Sequence, residues 1–181
     1  MMVLMCLALW HGPSESADPL ALLKSLEGNW RLSFYQIDES ETYQLVGTSE
    51  SQVEIKLDGK LIQEETTILT AASRFPLVVL YSYDSVRQVY RKASTDAVTG
   101  LMDIQEGTLQ GKVLTLTNVE RKTWFVGSSG KELAFRIQLD FSDENRPLMI
   151  ADLSLDHGAN WFKFQKVQYE RLASGAQSAA K

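Results

Sequence analysis

One cysteine stands in the whole chain of 181 residues, Cys6. Without a second thiol an internal disulfide is excluded, and so is a thiol-rich metal site. Histidine is almost as scarce, and of the two present only His157 lies beyond the N-terminal segment. A lone imidazole with no clustered carboxylates does not supply the four ligands of a structural zinc site, so no metal site is expected. Basic residues are outnumbered, 18 Lys and Arg against 23 Asp and Glu, for a net charge of −5. A surface of that average sign repels phosphate backbones and no basic patch stands out, so no nucleic-acid partner is expected. The apolar run "MMVLMCLALW" fills residues 1–10, well short of the roughly 20 that a membrane-spanning helix needs. No integral span is expected. Nucleophile elbows, P-loops and glycine-rich strand-to-helix turns are also missing. The nearest approach, "SSGK" at Ser128 to Lys131, has no helix after it to cradle a phosphate and reads as a turn. These absences leave no catalytic residue and no cofactor to assign.

What is present begins with that apolar run. It is followed by "HGPSESAD", in which Ser14 and Ser16 stand at −3 and −1 of a cleavage site. The pattern predicts a leader over residues 1–17 and a periplasmic or secreted mature protein, although no Lys or Arg precedes the apolar run. At the other end "ASGAQSAAK", residues 173–181, is small, polar and aperiodic and reads as a disordered tail. Residues 18–172 between them form one domain.

That domain opens with its only helical pattern. Asp18 can cap, Pro19 suits the first helical position, Leu20, Leu23 and Leu26 share a face, and Gly28 can terminate. About two turns are predicted. From Trp30 the period becomes two, with Trp30, Leu32 and Phe34 on one side and Arg31, Ser33 and Tyr35 on the other. Strand signals then recur at short intervals. Val53, Ile55 and Leu57 alternate up to a hairpin signal at Asp58–Gly59, and "LIQEETTIL" returns. "LVVLYSYD" is apolar enough to be covered on both faces. "QVYRKAST", "LMDIQEG", "KVLTLTNV", "KTWFVG", "ELAFRIQLDF", "LMIADLSLD" and "NWFKFQKVQYERL" follow, separated by "DAVTG", "TLQGK" and "SSGKE" as turns. The fold expected is all-β, an up-and-down antiparallel barrel of about eight to ten strands with a short N-terminal helix, since closure removes exposed sheet edges.

The helix running into Gly28-Asn29-Trp30, the Tyr83-Asp84 pair with Tyr90 after the turn, and the terminal Tyr169-Glu170-Arg171 resemble the lipocalin-like calycin barrels, and most closely their bacterial branch of uncharacterised function. The likeness runs from about Leu20 to Leu172. It implies a central cavity, often for an apolar ligand. It also implies that Gly28, Trp30 and Arg171 close one end of the barrel, the arginine packed on the indole.

Several residues invite a sharper reading. In "ELAFRIQLDF" the alternation puts Leu133, Phe135, Ile137 and Leu139 on one face and Arg136 on the other. Arg136 faces solvent on the simple reading and anchors a carboxylate if it points inward. Glu64 and Glu65 are adjacent and must face opposite ways, so at most one lines the interior. Tyr81 and Tyr83 share a face, where core packing competes with a ligand-binding role for their hydroxyls. His157 in "LDHGANW" reads first as a hairpin residue and second as a possible haem ligand. The function expected is binding of a small apolar or amphipathic molecule, with Arg136, Tyr83, Tyr81 and Glu64 as candidate ligand contacts. The alternative is a calycin-type enzyme for a hydrophobic acid, which requires a buried Arg, Tyr and Glu to converge. Nothing in the sequence speaks to oligomeric state.

Overall fold

The computed structural model describes residues 17–127 and 130–173. The leader with its Ser14 and Ser16, Cys6, Ser128 and Ser129 of the "SSGK" turn, and the tail beyond Ala173 lie outside those residues. Eleven strands follow one short helix, α1 (Ala21–Lys24). They are β1 (Gly28–Ile37), β2 (Tyr43–Lys56), β3 (Leu61–Leu69), β4 (Arg74–Asp84), β5 (Val89–Asp96), β6 (Met102–Gln110), β7 (Val113–Thr117), β8 (Phe125–Val126), β9 (Glu132–Asp140), β10 (Leu148–Ser154) and β11 (Phe162–Arg171). Each strand pairs antiparallel with its successor, except that β7 passes over β8 to β9, and β11 returns to β1. Ten strands therefore close into an all-β up-and-down barrel. The two-residue β8 hangs on the edge of β9.

Alternation explains why the sheet closes on this core. Leu32 and Phe34 of β1, Ile62 of β3, Val79 of β4, Leu116 of β7 and Val167 of β11 all point inward and are buried. Outward neighbours meet solvent, because among the described residues no helix or second sheet covers the outside. Thus β4 is not covered on both faces as its apolar run suggests, and Val78 is 37% exposed. The alternation of Val53 and Ile55 also stops before Leu57. That residue opens the β2–β3 turn with a positive φ of 51° and is 72% exposed. The expected turn in "TLQGK" narrows to Gly111 and Lys112, since β6 runs on through Gln110. Gly107 in that strand is required by contact: a Cβ there would lie 1.7 Å from the Thr115 carbonyl oxygen of β7.

The helix is one turn long where two are predicted. After Lys24 the backbone tightens, with N–H groups of Leu26 and Glu27 donating to carbonyls only three residues back. The tightening frees carbonyls for side chains: Trp30 Nε1 donates to Leu26 O at 2.6 Å, and Arg171 donates to Ser25 O at 2.6 Å and Glu27 O at 2.8 Å. Asp18 accepts the Leu20 N–H and pairs with Lys24. Leu20, Leu23 and Leu26 are buried, so the segment plugs one end of the barrel, and Tyr90 ties it down by donating to Pro19 O at 2.6 Å.

At that plugged end Trp30 and Arg171 face each other across β1 and β11. The guanidinium carbon lies 4.2 Å from the centroid of the indole, which is fully buried. Tyr169 meets the same indole edge-on, with ring centroids 5.9 Å apart. Gly28 leaves the helix with φ +120°, and a Cβ there would stand 3.2 Å from Arg171 Nη1. Trp30→Ala is expected to lower stability by roughly 3–5 kcal/mol, the usual cost of deleting a large buried aromatic. Arg171→Ala should cost about 1–2 kcal/mol through lost stacking and hydrogen bonds. Denaturant unfolding of both single variants and the double variant should give a coupling of at least ~0.5 kcal/mol. Additive losses would mean that stacking contributes nothing in solution.

Candidate functional site

The inward faces do not fill the barrel. They enclose a cavity of about 370 Å³ whose mouth lies at the end opposite α1, between Thr70 and Ser73 of the β3–β4 turn, Leu101 and Phe125. Leu32, Phe34, Phe135, Met149, Ala151 and Val167 make much of its wall apolar. One sector is not.

That sector comes from β3 to β6, and strand register explains it. Across the ladder Glu64 opposes Val79, Val79 opposes Ser94, and Ser94 opposes Asp103. One pleat nearer the helix, Ile62, Tyr81, Lys92 and Gln105 form the parallel row. Both rows point inward, so two acids, an amine, a phenol and an amide line one side of an apolar lumen. Glu64, Lys92 and Gln105 are buried among the residues of this sector.

Glu64 is the centre of its own network. Oε1 accepts from Ser51 Oγ at 2.7 Å and from Tyr169 Oη at 3.1 Å, the tyrosine reaching over from β11. Burial pushes the Glu64 carboxyl above its ordinary range, against the pull of those two hydrogen bonds and of Lys92. Burial and the neighbouring Glu64 hold Tyr81 and Tyr169 far above the usual phenol value, so both remain neutral donors. Lys92 donates to Ser94 Oγ at 3.0 Å, and burial lowers its pKa despite the nearby Asp103 and Glu64. Gln105 gives its Nε2 to Asp103 Oδ2 at 2.7 Å, and its buried Oε1 has no partner among the described residues. Asp103 also accepts from Asn118 and Thr123, which pins the β7–β8 connection to β6.

Of the ligand contacts expected from sequence, Glu64 and Tyr81 line the cavity. The Tyr81 hydroxyl is not tied to backbone; it makes no hydrogen bond among the described residues. Tyr83 shares its face but lies toward α1, packed on Tyr90 with centroids 5.0 Å apart, and it is not part of the lining. Arg136 does not enter the lumen. Phe135 and Ile137 take the inward positions, and Arg136 stands on the outer face, where it donates to Asp152 Oδ2 at 2.7 and 3.1 Å and lies 4.7 Å over the Trp161 ring. The converging Arg, Tyr and Glu required of an enzyme for hydrophobic acids is therefore not assembled. His157 is also outside the lining. It stacks on Trp124 at 3.9 Å and contacts Glu132 at 3.0 Å, joining two loops at the mouth, which leaves it out of position for an axial haem ligand. Glu65 faces outward, as the alternation requires of the neighbour of Glu64.

Residues 15–171 match the family described as "Protein of unknown function (DUF1579)". The chain belongs to that family. None of the curated proteins matches it. Among solved structures, Rv2717c from M. tuberculosis is similar over 87% of this chain and 99% of its own, at 13% identity and a TM-score of 0.55. The S-type phycobiliprotein lyase CPES from Guillardia theta is similar over 83% of this chain and 90% of its own, at 11% identity and a TM-score of 0.54. At these identities the likeness shows the fold alone, a closed antiparallel β-barrel.

The raised Glu64 carboxyl gives a signed pH dependence. A folded-state pKa above the unfolded one means that the native state holds the extra proton, so this contribution is present below the ordinary value of 4.5 and is lost as pH rises through the raised value. Glu64→Gln keeps an acceptor for Ser51 and Tyr169 without a titration. Its stability relative to the wild type should therefore improve as pH rises from about 4.5 toward neutrality. Glu64→Ala, which strands both donors, should lose about 1–3 kcal/mol at low pH. Denaturant unfolding of the three proteins across that range measures both effects. A pH-independent difference between wild type and Glu64→Gln would mean that the carboxyl titrates normally.

Proposed function

We propose that this DUF1579 protein is an extracytoplasmic carrier or receptor for a small apolar or amphipathic molecule, within the bacterial branch of the lipocalin-like barrels. The observation that carries this reading is the lumen itself: about 370 Å³, walled largely by aliphatic and aromatic side chains, with a buried polar sector deep inside and a mouth at the far end. Pockets of roughly 300–1,000 Å³ with apolar walls and few polar groups are what small-molecule sites look like. The mouth lies opposite the plugged end, so a ligand enters polar head first and leaves its apolar body against Phe34, Phe135 and Val167. Export rests on the apolar leader and on Ser14 and Ser16.

An uncharged solvatochromic dye such as Nile red should bind with one saturable site per chain. Ala151 lines the lumen and is small, so Ala151→Trp should weaken the dye about tenfold or more, equivalent to ~1.4 kcal/mol, by filling the site. Absence of saturable dye binding, or equal affinity in the filled variant, would sink the carrier reading. N-terminal sequencing of protein recovered from its own host decides the export half: a start near Ala17 is expected, and an intact Met1 in a cytoplasmic fraction would refute it.

A further inference from the structure

Lys92 is the one lysine among the described residues that lines the cavity. It is 6% exposed, its ammonium group has Ser94 Oγ as its hydrogen-bond partner, and it makes no ion pair among the described residues. An amine so placed is retained at a cost, since burial disfavours its charged form. A carboxylate-bearing ligand is the obvious partner, but the lining speaks against it. Asp96 and Asp103 alone already outnumber the single amine. A ligand carboxylate would add to that excess of negative charge. A neutral electrophile faces no such penalty, and a desolvated lysine is the side chain that condenses with carbonyls.

We propose that Lys92 is a covalent docking site for an apolar aldehyde, whose carbonyl carbon becomes an imine on Nζ inside the lumen. The inference rests on the carrier reading above. The Nζ lone pair attacks the carbonyl carbon, the carbonyl oxygen takes up a proton, and the nitrogen gives one up, which yields a carbinolamine. The carbon–oxygen bond then breaks, the oxygen leaves as water with a second proton, and the nitrogen gives up its remaining proton as the C=N bond forms. Aldehyde plus amine gives imine plus water, with no oxidant or reductant consumed. Glu64 is placed to move those protons. Its Oε1 already accepts two hydrogen bonds, which leaves Oε2 to exchange protons, and it faces the same lumen near enough to Lys92 to bias its charge. Tyr81, directly opposite Lys92 in the ladder, adds a hydroxyl donor for the departing oxygen.

The test is reductive trapping. The full chain is incubated with dodecanal and sodium cyanoborohydride at neutral pH, followed by intact-mass analysis and peptide mapping. One dodecyl group per chain is expected, on Lys92, ahead of the exposed lysines, because each unit by which burial lowers a pKa multiplies the free-amine fraction about tenfold. Lys92→Met should lose the adduct, with its Nile red affinity measured alongside to show that the lumen persists. The wild-type map stands even if that variant folds poorly. Dye binding with Lys92 unmodified, or with label spread over the exposed lysines, overturns the imine and leaves the carrier reading intact. Dodecanoate that displaces the dye from wild type but not from Lys92→Met also overturns it, in favour of an ion-pair anchor. Failure of the dye to bind removes the carrier reading, and the imine with it.

Discussion

The guanidinium of Arg171 clasps the seam on which the rest of the barrel depends. A sheet becomes a barrel only when its last strand pairs with its first, and here that seam joins the two ends of the folded chain, β11 to β1. Strand pairing between chain termini is the contact of longest loop closure and the one most exposed to fraying. Arg171 reinforces it in three ways at once: it stacks on Trp30 and takes the carbonyls of Ser25 and Glu27. Those carbonyls lie at the end of α1, where a helix leaves acceptors unsatisfied. One side chain therefore holds the seam, the plug and the buried indole together. Gly28 fits the same geometry, since a side chain there would press on the arginine.

Closure at one end sets the terms for the lumen. With Trp30, Tyr169, Leu20, Leu23 and Leu26 filling the bottom, the apolar wall above is left incomplete by the described residues, and the cavity opens at the end away from the plug. Tyr169 belongs to both regions. Its ring packs against Trp30 at the clasp, and its hydroxyl reaches Glu64. A buried carboxyl costs free energy unless it is neutral or well bonded. Among the described residues Glu64 is bonded on one oxygen only, so the polar sector is mechanically tied to the seam yet chemically incomplete.

The fold was legible because it rests on period two and on turn residues, both local signals. Trp30, Leu32 and Phe34, and again Phe135, Ile137 and Leu139, name their faces without help from the rest of the chain. The errors came where closure overrides local pattern. Val78 looks buried in a run such as "LVVL", but a closed barrel on whose outside none of the described elements packs has only one covered face. Leu57 continues an apolar alternation that its turn conformation ends. The helix lost a turn because its last carbonyls are worth more to Trp30 and Arg171 than to another helical repeat.

The site was less legible, and for a physical reason. Reading faces from hydrophobicity assumes that the apolar face is the inner one. In β5 the inward set is Tyr90, Lys92 and Ser94, and the outward set holds Val89 and Ala93, so the assumption fails in the strand that matters most. What the sequence did contain was register. Tyr81 and Tyr83 were read as sharing a face, and the tight turn after Asp84 sets Tyr90 against Tyr83 and Lys92 against Tyr81. Following that ladder one strand further places Gln105 beside Lys92. Glu64 comes from the other side of the same ladder, but its partner Tyr169 is 105 residues away and meets it only because the barrel closes. Polar residues that line a lumen are thus found by counting across hairpins, whereas those that bridge it depend on the seam.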